Sequence, residues 1–264
     1  MALTSVKVKI KKINVRERSV KSVSDCVVVE SPVFVYANGY HVATLFCLPT
    51  LLRELGVGWL FSQSIVKSLD EITNVTVRKN HVKIVCSSKI EARIKTSKTT
   101  KTIDSSCGST EEDFLFLIDR MTKPFVKSEY RVEAEKVLEF VRVLNEKSSL
   151  FKLTGGTHSA AIFHKGKLVA FAEDVGRHNA VDKAIGVAAF KKVNFSDCVI
   201  ASSGRQPANM VLKAARVGVP IIASIAGPVS SGIDAARRTG VTLICFVRGE
   251  RMNIYSYPER VDGS

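Results

Sequence analysis

Of the six cysteines in this 264-residue chain, Cys107 alone stands in a polar run, Ile103-Asp104-Ser105-Ser106-Cys107-Gly108-Ser109-Thr110, with no large apolar side chain between Ile103 and Phe114. A thiol so placed is expected to be accessible, and accessible thiolate is what nucleophilic sulfur chemistry requires. Cys26, Cys86, Cys198 and Cys245 sit beside Val and Ile in strand-like runs, and Cys47 follows Thr44-Leu45-Phe46. These five read as small buried hydrophobes. With no C-x-x-C spacing, the set argues against a disulfide framework and against a zinc ribbon.

A second group of chemically capable residues lies after position 150. The runs are Thr154-Gly155-Gly156-Thr157-His158, Glu173 to Asn179, Ser202-Ser203-Gly204-Arg205, Ala226 to Gly232 and Arg248-Gly249-Glu250-Arg251. Several fall between a strand end and a helix start, where free backbone N–H groups and the helix dipole attract phosphate. Arg177, Arg205, Arg248 and Arg251 are suited to bidentate contacts with phosphate oxygens. Any one such loop is more often turn chemistry than a ligand contact; their recurrence in one region favours a phosphorylated ligand. His158 and His178 flank these glycine-rich runs. On a helix, Asp174, His178 and Asp182 would share a side at spacing four, so His178 reads equally as a carboxylate-oriented network member or as a proton-handling group. His41, His81 and His164 lie in strand-like or hairpin sequence and receive no role. Neither H-E-x-x-H nor the H-x-E with P-C-x-x-C of zinc deaminases is present, so no metal site is expected.

The elements that must position these groups can be read from periodicity. To about residue 95 the pattern is mostly period two: Val6, Val8 and Ile10; Val27 to Val29; Val33 and Val35; Val75 and Val77; Val82 and Ile84; then Ile90 and Ile94. Asn38-Gly39 marks a tight hairpin, because both turn positions want positive φ. Pro49 to Ile65 reads as a helix with Leu51, Leu52, Leu55 and Trp59 on one side. Thr96 to Thr110 is too polar for core and reads as a loop, and Glu111-Glu112-Asp113 opens a short helix to Met121. Residues 129 to 146 form an amphipathic helix. Beyond Phe151 the chain alternates: a hairpin about Lys165-Gly166, helices over 181–190, 207–217 and 230–238, and short apolar strands over 198–201, 219–225 and 241–247. Such alternation predicts a sheet covered on both faces. The expected organisation is a β-rich part over 1–104 with one helix, a reactive-cysteine loop and connecting helices over 105–148, and a layered α/β domain over 149–264.

The net charge of +14 is unevenly placed: residues 1 to 104 carry 17 Lys+Arg against 8 Asp+Glu, residues 105 to 148 carry 7 against 9, and residues 149 to 264 carry 15 against 8. Within the first part, Lys7 to Lys21 and Arg78 to Lys101 form two basic clusters on strand-like sequence, read as the solvated face of a sheet. Without aromatic interleaving or a nucleic-acid-binding motif, nucleic acid is not an expected partner. No apolar run approaches the roughly 20 residues of a membrane span, and Met1 to Lys12 alternates Val and Ile with Lys without the apolar run of a secretory signal, so a cytoplasmic location is expected.

The motifs Thr154-Gly-Gly-Thr-His158-Ser-Ala-Ala161, Glu173-Asp-Val-Gly-Arg-His-Asn-Ala-Val-Asp-Lys183, Ser203-Gly-Arg205, Phe246-Val-Arg-Gly-Glu-Arg251 and Asn253-Ile-Tyr255-Ser resemble the FdhD family of formate dehydrogenase accessory sulfurtransferases. The first half matches through Glu30-Ser-Pro32, Asn38-Gly39, Val42-Ala-Thr44, Gly58-Trp-Leu-Phe-Ser62 and Ser106-Cys107-Gly108, so that coverage runs from about residue 25 to 258. The resemblance implies a cytidine-deaminase-like α/β/α core with a smaller β-rich N-terminal α+β part. It implies a sulfur carrier that receives persulfide sulfur from a cysteine desulfurase on Cys107. That sulfur passes to the molybdenum or tungsten of a bis-pterin guanine dinucleotide cofactor, carried as cargo, before its insertion into formate dehydrogenase.

On the same grounds Phe246, Val247, Arg248, Gly249, Glu250 and Arg251 match the cofactor-binding stretch, joined by Gly155, Gly156, His158, Arg177, His178, Ser203, Gly204 and Arg205. The alternative is a non-catalytic chaperone that binds and protects the cofactor, with Cys107 a structural or redox thiol. A homodimer is permitted by apolar helix faces in both halves. The chain departs from the family pattern in three places. Thr110 stands where many members have a second cysteine. Pro207 and Asn209 replace Ser and Glu after Ser-Gly-Arg. Ala226-Gly-Pro-Val-Ser230 replaces an S-A-P-T-S run.

Overall fold

The structure, a computed structural model, describes residues 3–87, 90–94 and 125–263. Cys107, Thr110 and the helix expected over 111–121 lie outside the described residues.

The chain opens with a long antiparallel ribbon, β1 (Ser5–Asn14) and β2 (Ser19–Val28). β3 (Ser31–Ala37) and β4 (Tyr40–Cys47) follow, joined by Asn38-Gly39 with φ of 47° and 80° as the turn chemistry requires. Helix α1 (Leu52–Ser62) leads to β5 (Ile72–Arg78) and β6 (His81–Cys86), which complete a four-stranded sheet in the order β4-β3-β6-β5. Ile90 and Ile94 are not on a strand: residues 91–94 are helical, and Arg93 there donates to both Glu71 carboxylate oxygens at 2.9 Å and to the Ile65 carbonyl at 3.0 Å. The two isoleucines are spaced four apart, a helical repeat, and both are buried.

The second sheet has six strands in the order β13-β12-β11-β10-β8-β9. Its members are β8 (His158–His164), β9 (Lys167–Asp174), β10 (Cys198–Ser202), β11 (Ile221–Ser224), β12 (Thr242–Arg248) and β13 (Arg251–Ser256). The helices are α2 (Ala134–Lys147), a short α3 (Ser149–Thr154), α4 (Arg177–Phe190), α5 (Ala208–Val217) and α6 (Ser230–Thr239). A two-residue pairing of β7 (Val132–Glu133) with β14 (Val261–Asp262) ties the entry of α2 to the end of the chain.

Both faces of the six-stranded sheet are apolar. α4, α5 and α6 cover one face, where Ala160, Ile162, Ile200, Ile222 and Leu243 join their buried residues. α2 covers the other: Val137, Phe140, Val141 and Leu144, at helical spacing, meet Phe163, Val199, Ile221 and Ile244, with the Phe140 and Phe163 rings stacked at 4.1 Å. The α/β/α layering is as expected, with its second helical layer supplied from upstream of residue 149.

α1 joins the two sheets. Gly56 faces the four-stranded sheet, where an added Cβ would lie 2.7 Å from Val82, and Gly58 faces α4, where one would overlap the Asp182 carbonyl. Gly186 of α4 makes the reciprocal approach to the Glu54 carbonyl. Two clasps lock this crossing. Lys183, fully buried, lies 2.6 Å from Asp174, also fully buried, and donates to the Leu48 carbonyl at 2.8 Å. Asp174 accepts in turn from the amides of Leu48 and Gly176, and Asn179 bridges Asp174 to the Phe46 carbonyl. In the second clasp Lys213 reaches Asp182 at 2.7 and 2.8 Å and the Ser62 hydroxyl at 3.1 Å, while Arg216 donates to the Ser62 carbonyl at 2.9 Å.

Removing one member of such a pair strands the other in a dry environment, at a cost of about 3–5 kcal/mol. Lys183→Met should therefore lower the urea midpoint sharply. Lys183→Met combined with Asp174→Asn should recover part of the loss, because no buried carboxylate charge is then left unpaired and the amide oxygen still accepts from Gly176 and Asn179. Equal midpoints for the single and double variants would contradict this reading.

Candidate functional site at the strand ends

β8 runs antiparallel to both β9 and β10, so β9 points the same way as β10, β11 and β12. Their ends, Asp174, Ser202, Ser224 and Arg248, therefore lie along one edge of the sheet, with the start of β8 at His158 and the start of β13 at Arg251. The register bears this out, pairing His158 with Asp174, Ser202 with Ala160 and Ser224, and Arg248 with Arg251. The runs singled out in the sequence are thus neighbours on one edge. α4, α5 and α6 start there behind Gly176, Pro207 and Val229, none of which caps its helix with a side chain. Their first-turn N–H groups and dipoles face the same edge.

One cluster is built on β8 and β10. The Ser203 hydroxyl accepts from the Ser159 amide at 3.0 Å and lies 3.3 Å from His158 Nδ1, while the Ser203 amide donates to the Ser159 carbonyl at 3.0 Å. Arg177 crosses Gly204 so closely that a Cβ there would stand 2.8 Å from the arginine's own Cβ. The Arg177 Nε is buried without a hydrogen-bond partner among the described residues, a donor that an anion at this edge would satisfy. The Gly204 carbonyl accepts from Gln206 and from Ser224, each at 2.8 Å. Burial, then the charges of Arg177 and Arg205, hold the His158 imidazole below its ordinary 6.5. It is therefore a neutral group between two guanidinium charges.

The second cluster is built on β12. Phe246 has φ of 54°, a bulge conformation unusual for an aromatic residue, and its ring lies over Gly227, where a Cβ would stand 2.7 Å from Cζ. Its amide donates to the Ala226 carbonyl at 3.2 Å, and Arg248 Nε donates to the Ile225 carbonyl at 3.1 Å. The loop is tied to the first cluster by Ile225 to Ser202 and Gln206 to Gly227, each at 3.1 Å. Val247 is buried in the core, so only its backbone faces outward; Gly249 and Glu250 form the β12–β13 turn and Arg251 is exposed. Beside them a cleft of ≈ 740 Å³ opens between α2 and the sheet edge, with Glu135, Glu139 and Glu146 as well as Arg142, Lys152 and Arg248 on its walls. That volume is in the range of small-molecule sites.

Other members of the motifs hold the frame. Gly155, with φ of 66°, ends α3, and Gly156 packs against Val28 of β2. Glu173 accepts from the amides of Leu150 and Phe151 and from the Thr157 hydroxyl, fixing the start of α3. The helical set of Asp174, His178 and Asp182 is corrected by the structure: Asp174 ends β9, ahead of the helix, and the two carboxylates turn to Lys183 and Lys213. His178 lies half-buried in the first turn of α4. The signal for these framing roles was a lysine at 183 amid the alanines of an apolar helix, which demands a buried counter-charge.

Burial pushes the thiols of Cys47, Cys198 and Cys245 up to about 12 and that of Cys86 up to about 11, as inert packing groups. Cys26 differs from expectation. It is half-exposed on β2, because no ribbon residue joins a buried cluster among the described residues. No helix among the described residues is long and apolar enough to cross a membrane.

Fold and edge together define a class: a layered α/β protein presenting arginines and helix starts at one sheet edge. The FdhD/NarQ family model matches residues 28–262. The chain is 37% identical over 241 residues to the sulfur carrier protein FdhD of Methanothermobacter thermautotrophicus, covering 91% of this chain and 93% of that one. It is 35% identical over 261 residues to that of Sulfolobus acidocaldarius, covering 97% and 98%. A crystal structure from Desulfotalea psychrophila, described as that of a formate dehydrogenase accessory protein, superposes with a TM-score of 0.80 at 28% identity, covering 98% of this chain and 100% of that one. The chain belongs to the FdhD/NarQ family.

The electrostatics of the edge give a titration test. Since the folded chain binds the His158 proton less readily than the unfolded chain, this residue's contribution to stability is whole above 6.5 and is lost as pH falls through 6.5 toward the folded midpoint. In an NMR titration the His158 midpoint should lie below 6.5, rise in Arg205→Met, and rise on adding guanosine diphosphate, whose phosphates offset the guanidinium charges. A midpoint at or above 6.5 in the ligand-free protein would contradict the arrangement.

Proposed function

We propose that this chain is a sulfur carrier for formate dehydrogenase, taking persulfide sulfur onto Cys107 from a cysteine desulfurase and passing it to the molybdenum or tungsten of a bis-pterin guanine dinucleotide cofactor. In the loading step the Cys107 thiolate attacks the terminal sulfur of the donor persulfide. A new S–S bond forms, the donor S–S bond breaks, and the donor cysteine leaves as thiolate. Delivery of that sulfur as sulfide needs two electrons. With Thr110 in place of a second local cysteine, an external thiol supplies them and is left in a disulfide with Cys107.

The reading rests above all on the edge itself, along which Arg177, Arg205, Arg248 and three helix starts are set out. In this role Arg177 and Arg205 hold diphosphate, Gly204 gives Arg177 the room to cross the loop, and the Phe246 ring offers a face to a heterocycle. His158, kept neutral, can exchange a hydrogen bond with the ligand without adding charge. Four of the described cysteines have thiols raised by burial to about 11 or 12, which makes them poor nucleophiles.

The test is incubation with a cysteine desulfurase and cysteine, followed by a persulfide-trapping alkylator and peptide mass spectrometry. Label should appear on Cys107 and be absent from Cys107→Ser. Cells carrying Cys107→Ser should lack formate dehydrogenase activity; restored activity would favour the non-catalytic chaperone, and label persisting in Cys107→Ser would overturn the assignment.

A further inference from the structure

The β1–β2 ribbon is left out of the function above, and its composition is unusual for a projecting hairpin. Val6, Val8 and Ile10 share one face with Val23 and Val27, interrupted by Asp25 and bordered by Lys12 and Lys21, while Lys7, Lys9 and Lys11 share the other with Ser22, Ser24 and Cys26, ending at Ile13 and Val20. The valines at 6, 8, 23 and 27 are 39%, 40%, 37% and 43% exposed. A two-stranded hairpin is marginal alone in water, and an apolar face on one that no described residue covers is a surface open to a partner.

The charges say what kind. Seven basic side chains lie on the ribbon (Lys7, Lys9, Lys11, Lys12, Arg16, Arg18 and Lys21) against Glu17 and Asp25. All seven are exposed, and none makes an ion pair among the described residues. A second copy of the ribbon would bring like charges together. A nucleic acid would find no aromatic side chain to stack on and an apolar face with nothing to meet. An acidic protein surface with an apolar strip satisfies both faces.

Position identifies the partner. The ribbon leans on α3, and Val28 at its base touches Gly156, two residues before His158 at the strand-end edge. A protein held by the ribbon therefore stands beside the loops that present the ligand. We infer that the ribbon is the docking arm for an acidic surface of the formate dehydrogenase that receives the cofactor, an inference that rests on the function proposed above.

The experiment measures binding of purified, cofactor-free formate dehydrogenase from the same organism to the full-length chain across a salt series. Two variants are compared with wild type: Lys7→Glu with Lys9→Glu and Lys11→Glu, and Val8→Ser with Val23→Ser. These positions are exposed and off the core, and circular dichroism with guanosine diphosphate binding verifies the fold. Wild type should bind with an affinity that falls as salt rises. Each variant should bind at least about tenfold more weakly, and the charge reversal should lose the salt dependence.

Guanosine diphosphate binding and Cys107 persulfide labelling should be unchanged in both variants; their absence from wild type would count against the proposed function and leave the ribbon result readable. Wild-type affinity retained by both variants, or no binding by wild type at low salt, would overturn the inference. So would tighter binding of duplex RNA than of the dehydrogenase. Dissociation of a homodimer by Val8→Ser with Val23→Ser, with dehydrogenase binding intact, would assign the face to a second copy.

Discussion

An ammonium group shut away from water persists only where other atoms replace the bonds it gave up, and Lys183 has this arrangement in Asp174 and the carbonyl of Leu48. The contact fixes three distant things at once. It holds the end of β9, the first turns of α4, and the Phe46–Leu48 segment that leads out of the four-stranded sheet. Asn179 and the Gly176 amide complete the shell around Asp174. The start of α4 cannot shift without undoing the pair, so Arg177 crosses Gly204 at a set place. What reads in the sequence as one motif, Glu173 to Lys183, frames the fold at Glu173, Asp174, Asn179, Asp182 and Lys183 and faces the edge at Arg177.

The strand-end edge follows from that frame. Parallel strands deliver their C-terminal ends to one side of a sheet, and the helices that follow begin there with unpaired N–H groups. Arg177, Arg205 and Arg248 add fixed cations, while burial keeps His158 uncharged between two of them. The backbone ties among Ser159, Ser203, Gln206, Gly227 and Ile225 make the loops a single scaffold. The local departures from the family pattern respect this scaffold: Pro207 occupies an N-cap position, where helical N–H bonding is not required of it, and Gly227 supplies the flat floor under Phe246.

Much of this was legible in the sequence because it depends on local rules. Asn38-Gly39 and Lys165-Gly166 specify turns, helical spacing marks α2, and glycine-rich runs between apolar strands and helices mark the loops. The rest depended on distant contacts. Ile90 and Ile94 fit a strand as two apolar points in a polar run; only the bonds of Arg93 to Glu71 and Ile65 show why that segment coils. Asp174 sits at helical spacing from His178, yet its true partner is a lysine nine residues on, reached because β9 turns into α4 at Gly176. The ribbon's basic side chains read as a solvated sheet face, and they are solvated; that the opposite face is also exposed emerges only because no described residue packs on it.

The proposed function requires the loops at 203–206, 226–229 and 246–251 to form one binding surface for a guanine-nucleotide-bearing ligand. Hydrogen exchange of the full chain, measured with and without saturating guanosine diphosphate, tests it most directly. The account predicts slowed exchange in all three loops and in the first turn of α4, with the β1–β2 ribbon unchanged. Protection confined to other segments, or no protection at saturation, would contradict it.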